Sequence, residues 1–156
     1  MDFSQEICMI ENLCFNFDYD RIADSKIRRS LKNSITSALE ALGYGVVRDK
    51  KLQYPRFDEQ SGRVGRMEKG TLDILCFRGK RQIAVEVNRS SVVRLKTVMK
   101  LLASDAQLRI VVLYPQRIRT VQREWISERI GEVKREQNVT VPLIVFDLLE
   151  KRRYVF

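Results

Sequence analysis

Apolar residues recur along this chain at two periods, and the changes between them divide it into elements. Phe3, Ile7, Ile10, Cys14 and Phe17 are spaced alternately by four and three, which predicts one stripe of a helix capped by Asp2 or Ser4. Residues 15–20 also alternate aromatic and polar side chains, leaving a short strand open there. Ile27, Leu31, Ile35, Leu39 and Leu42 predict a second helix over 25–42, with Asp24 or Ser25 as its cap and Gly43 as its stop. A strand is expected over 44–52. Residues 53–69, broken by Pro55 and Gly65 among charges, read as a long loop or ragged hairpin. Unstructured loops beyond about 12–15 residues are usually functional or disordered, and this one carries Arg56, Arg63, Arg66 and Lys69. It is read as facing a substrate.

The clearest period-2 pattern lies in residues 71–88, where two runs of Ile, Leu, Val, Phe and Cys flank Gly79-Lys80. Glycine at the first central position of a two-residue loop suits a type II′ hairpin. That loop pairs Arg78 with Arg81 and sets Asp73 directly opposite Glu86. Opposed Cβ atoms lie roughly 4.5–5.5 Å apart, and like charges there are destabilising. A shared divalent cation is the simplest reason for two such carboxylates in an apolar hairpin. Asn88, two residues past Glu86, falls on the same face. A helix over 91–103 then starts at Ser90 or Ser91, with Val92, Leu95, Met99 and Leu102 inward and Arg94, Lys96 and Lys100 on other faces. The apolar run 108–114 predicts a buried strand, parallel to the one bearing Glu86 through a right-handed crossover. A longer helix over 117–137, with Trp125 inward, follows, and 141–147 and 152–156 complete the pattern as two short strands or a strand and tail.

Composition narrows the chemistry. At 156 residues, 44% hydrophobic and 31% charged, the chain predicts one soluble domain. Its absence of histidine removes Ser-His-Asp and Cys-His catalysis and the usual zinc sites. Chemistry must therefore come from carboxylates, lysines or a hard metal on oxygen ligands. The three cysteines, Cys8, Cys14 and Cys76, lack metal-ligand spacing and leave an odd thiol, which fits a reducing, cytoplasmic setting. No signal peptide or membrane span is expected. Residues 1–20 hold five acids and no bases, so the net +9 leaves 29 bases against 15 acids in the remainder. Such a body suits a polyanionic partner, nucleic acid before membrane. Arg28, Arg29, Lys32, Lys50, Lys51, Arg63, Arg66 and Lys69 are the candidate contacts. Lys26, Arg28, Arg29 and Lys32 crowd the start of the second helix, where cations oppose its dipole.

The order helix, strand, strand, strand, helix, strand over about 25–115, with Gly70-Thr-Leu-Asp73 and Glu86-Val-Asn88 on adjacent strands, resembles the PD-(D/E)XK nuclease superfamily. The resemblance implies a restriction-endonuclease-like α/β fold with a mixed sheet, flanked by an acidic segment at 1–20 and an extension at 116–156. It implies a metal-dependent DNA nuclease, with Asp73, Glu86 and the Val87 carbonyl binding Mg²⁺ or Mn²⁺; the short chain and its diffuse charges favour an endonuclease recognising structure or ends. Asn88 replaces the motif lysine, and Lys96 or Lys100 reaching back from the next helix would restore the charge. Many resolvase-like members carry an acid in the first helix, and Glu40 and Glu68 are the candidates for a third carboxylate. The alternative is a nuclease-fold subunit without catalysis that binds nucleic acid, or a protein partner, in a larger assembly. A homodimer contact through the stripe at 3–17 or an exposed strand is also left open.

Overall fold

The computed structural model of the protein describes residues 1–58, 60–61, 63–114, 130–135 and 142–156. Helices α1 (Ser4–Phe15) and α2 (Asp24–Ala41) precede strands β1 (Gly45–Asp58), β2 (Arg63–Arg78) and β3 (Arg81–Asn88). Helix α3 (Leu95–Ala103) leads to β4 (Leu108–Leu113), and β5 (Leu143–Asp147) and β6 (Arg152–Val155) follow. All six strands form one mixed sheet in chain order. β2 runs antiparallel to both β1 and β3, while β3, β4 and β5 run parallel, and β6 closes the far edge antiparallel. The protein is thus α/β, a mixed sheet flanked by helices, as its pattern predicts.

Alternation along the strands divides the core in two. On one face, Ile74, Cys76, Val85, Val87, Ile110 and Val112 pack against Ile27, Leu31, Ile35 and Leu39 of α2 and against Ile10 and Cys14 of α1. On the other, Leu72, Ala84, Val111 and Leu113 pack against Val98, Met99 and Leu101 of α3 and against Ile130 and Val133. Every residue of β4 is buried, as a central parallel strand requires. Its one charged member, Arg109, donates to the Leu101 carbonyl at 2.7 Å and to that of Ser104 at 2.9 Å. It thereby adds a charged donor to carbonyls at the end of α3, where the Leu101 carbonyl also accepts from the Ser104 N–H and hydroxyl.

Some segments depart from the expected pattern. Residues 53–69 take the ragged-hairpin form left open for them and not the long loop: β1 runs to Asp58 and β2 begins at Arg63, with Gln53 opposite Lys69, Tyr54 opposite Glu68 and Pro55 opposite Met67. Leu52, Tyr54 and Phe57 turn towards the α3 core, while Pro55 and a register shift before Phe57 mask the alternation. Proline is tolerated because β1 is an edge strand. Helix α3 begins at Leu95, not 91. Ser90 accepts the Val92 N–H at 3.1 Å and Arg94 is extended, so the chain takes a polar turn before the helix. Its buried face is consequently Thr97, Val98, Met99 and Leu101, with Leu95 and Leu102 half-buried. A 3-10 turn, Tyr19–Arg21, replaces the strand left open at 15–20. Of the helix expected at 117–137, residues 130–135 are helical; Trp125 and the remainder lie outside the described residues. Among the described residues no helix is long and apolar enough to cross a membrane.

Candidate active site

The β2–β3 hairpin has the register its loop dictates. Arg78 pairs with Arg81 and Ile74 with Val85, and Gly79 takes a positive φ of 61°. One step further, the ladder gives way to side chains. The Asp73 N–H donates to Glu86 Oε2 at 3.0 Å, and the Val87 N–H donates to Asp73 Oδ2 at 2.8 Å. Each carboxylate thus replaces a strand carbonyl, which fixes both at 2% exposure or less.

The row extends into β1. Arg48 pairs with Ile74 and Lys50 with Leu72, so Asp49 stands opposite Asp73. Asp49 has a positive φ of 53°, a left-handed conformation that Asp tolerates better than most residues. Ile74 packs into the α2 core while Leu72 packs into the α3 core. Alternation therefore slips at this row, and both helical layers gain access to it.

Three cations meet the three acids. Arg28 and Lys32, four apart and so on one face of α2, arrive from one side. The Arg28 guanidinium pairs with Asp73 Oδ1 through Nη2, and its Nε donates to the Val87 carbonyl at 3.1 Å. Lys32 Nζ lies 2.7 Å from Asp49 Oδ1 and 3.7 Å from Asp73 Oδ1. From α3, Lys100 Nζ pairs with Glu86 Oε1 and donates to the Thr71 carbonyl at 2.9 Å. The basic start of α2, unfavourable for the helix dipole, is explained by these acids. Burial, and then the hydrogen bond and charge of Asp73, push the Glu86 carboxyl up to about 7 against the opposing pull of Lys100. The hydrogen bond from Lys32 holds Asp49 below its usual range.

Of Lys96 and Lys100, only Lys100 reaches the acids. Lys96 is exposed and lines a cavity of about 640 Å³ with Tyr54, Phe57 and Met99, away from Glu86. Asn88 is half-buried, its amide donating to Thr97 Oγ1 of α3 at 2.8 Å. Glu40 is exposed near the end of α2, and Glu68 accepts from the Tyr54 hydroxyl at 3.1 Å, so neither joins the row. Asp49 went unrecognised in the sequence because the turn that sets the β1–β2 register is buried in an irregular stretch. Its one signal was an acid among bases in Arg48-Asp49-Lys50-Lys51.

The candidate phosphate contacts separate into two groups. Arg28 and Lys32 are committed to carboxylates. Arg29 is exposed on α2, and Lys50, Lys51, Arg63, Arg66 and Lys69 are exposed on the β1–β2 ribbon. A cavity of about 720 Å³ lined by Lys51, Gln53, Lys69, Gly70 and Thr71 adjoins the carbonyl that holds Lys100.

Asp73, Glu86 and the Val87 carbonyl present hard oxygen donors with two formal negative charges, a set that suits Mg²⁺ or Mn²⁺. Among the described residues no three acidic or cysteine side chains converge as a ready-made cage. No family model, curated protein or solved structure matches the chain.

Proposed function

We propose that the protein is a metal-dependent deoxyribonuclease with a PD-(D/E)XK-like site, cutting DNA by structure or ends. The observation that carries this reading is Lys100 on Glu86 beside Asp73: an Asp-Glu-Lys constellation that the sequence lacks at position 88. Asp73, Glu86 and the Val87 carbonyl would hold the ion, which when bound supplies charge for the phosphate and an acidified water. Lys100, steadied by the Thr71 carbonyl, offers its ammonium to the attacking water or to the charge developing on phosphorus. Water adds in line, the P–O bond to the leaving sugar oxygen breaks, and a phosphate end and a hydroxyl end result. The exposed bases of the ribbon neutralise flanking phosphates, a contribution that weakens with salt.

A second reading, a nuclease-fold module that binds DNA without cutting it, is favoured by the turning of Asn88 to Thr97. Purified protein incubated with duplex, single-stranded, flapped and four-way-junction DNA, in Mg²⁺, Mn²⁺ or EDTA, separates the two. Cleavage should require metal and disappear in Asp73→Asn, Glu86→Gln and Lys100→Met. Binding to every substrate with cleavage of none sinks the enzyme reading.

A further inference from the structure

Arg28 occupies an odd position for a surface arginine. Its Nη2 pairs with Asp73 Oδ1 and its Nε donates to the Val87 carbonyl, so one guanidinium bonds two of the three groups assigned to the metal. The other two cations of the row cannot leave easily: the Lys32 side chain is 5% exposed and that of Lys100 is 13% exposed. The Arg28 side chain is 48% exposed and reaches the acids from the solvent edge of α2. A guanidinium and a hard divalent ion make the same demand on a carboxylate and a carbonyl, namely lone pairs directed at positive charge. They cannot both take Asp73 Oδ1 and the Val87 oxygen.

We infer that Arg28 is the exchangeable counter-cation of this site: it neutralises the acids when no divalent ion is bound and swings out when one binds. This rests on the metal reading given above. The displaced guanidinium remains tethered at the mouth of the site, within reach of a DNA phosphate that approaches there. Arg28 is accordingly a positioning residue that competes with metal, and removing it has opposite effects on two measurable properties.

The test is direct binding of Mn²⁺ to the full chain by titration calorimetry without DNA, paired with thermal unfolding with and without Mn²⁺. Breaking a charge-assisted pair should tighten Mn²⁺ binding by about tenfold in Arg28→Ala. That variant should also melt lower than wild type in EDTA and recover more on adding Mn²⁺. Arg28→Lys, which keeps the charge but not the two-pronged contact, should fall between. Lys26→Ala, which removes a charge from an exposed position on α2, separates competition for ligands from general electrostatics and should change affinity far less. Equal affinity in wild type and Arg28→Ala, with binding abolished in Asp73→Asn, overturns the exchange while leaving the metal site intact. Equal gains in Lys26→Ala and Arg28→Ala overturn it too. An absence of Mn²⁺ binding in all variants removes the metal reading and the exchange together.

Discussion

Lys100 reaches Glu86 past a residue that has no side chain. A Cβ at Gly70 would lie 2.9 Å from Tyr54 Cε1 and 3.3 Å from Lys100 Cδ. Tyr54 is 2% exposed and its hydroxyl donates to Glu68, and Lys100 is held by Glu86 and the Thr71 carbonyl, so neither neighbour yields freely. Gly70→Ala should therefore strain both the Tyr54 packing and the hold of Lys100 on Glu86. Overpacking of this kind costs about 1–3 kcal/mol, to be read from urea denaturation. Cleavage in Mg²⁺ should fall further than that loss of stability explains, towards the level of Lys100→Met. Full activity in a Gly70→Ala protein would show that Lys100 needs no such slot. Asn88 teaches the complementary lesson. Its place two residues beyond Glu86 was legible from strand periodicity, yet its amide goes to Thr97, because α3 supplies a hydroxyl on that face.

How much was legible varies by element with what fixes each register. A two-residue loop leaves a hairpin no freedom, so Gly79-Lys80 was enough to set the register from Arg78 opposite Arg81 to Ile74 opposite Val85, which brings Asp73 beside Glu86. The β1–β2 turn falls between Asp58 and Arg63, among residues with no comparable signal, and the same uncertainty left loop and hairpin both open for 53–69 and concealed Asp49. The start of α3 was misplaced by four residues because Ser90, a plausible cap by type, closes a turn with Val92 instead. The ribbon itself yields a prediction. Arg63, Arg66 and Lys69 are exposed on β2, and each phosphate neutralised contributes roughly 0.9 to the slope of log K against log salt on duplex DNA. Substituting all three by alanine should weaken duplex binding in EDTA and flatten that slope by up to about 2.7 on the same principle. An unchanged slope would remove the β2 side of the ribbon from DNA binding and leave other exposed bases, Arg29, Lys50 and Lys51 among them, as the candidates.

Across the whole molecule, the acid row is closed from both sides of the sheet: α2 provides Arg28 and Lys32, and α3 provides Lys100. The row exists only when both layers are docked, so its protonation is coupled to global stability. Burial and Asp73 raise the Glu86 carboxyl from 4.5 to about 7, meaning that the folded chain holds this proton more tightly than the unfolded one. By linkage, the stability it contributes is complete below about pH 4.5, declines as pH rises, and is gone above about 7. Glu86→Gln, permanently neutral and similar in shape, removes that dependence. The wild-type protein in EDTA should lose stability to urea between pH 5 and 7.5 more steeply than the variant does. Lys100 opposes the shift, so Lys100→Met should move the decline to higher pH and deepen it. Parallel pH profiles for wild type and Glu86→Gln would mean that Lys100 keeps Glu86 ionised throughout, and that the row is a settled set of ion pairs with no proton to share.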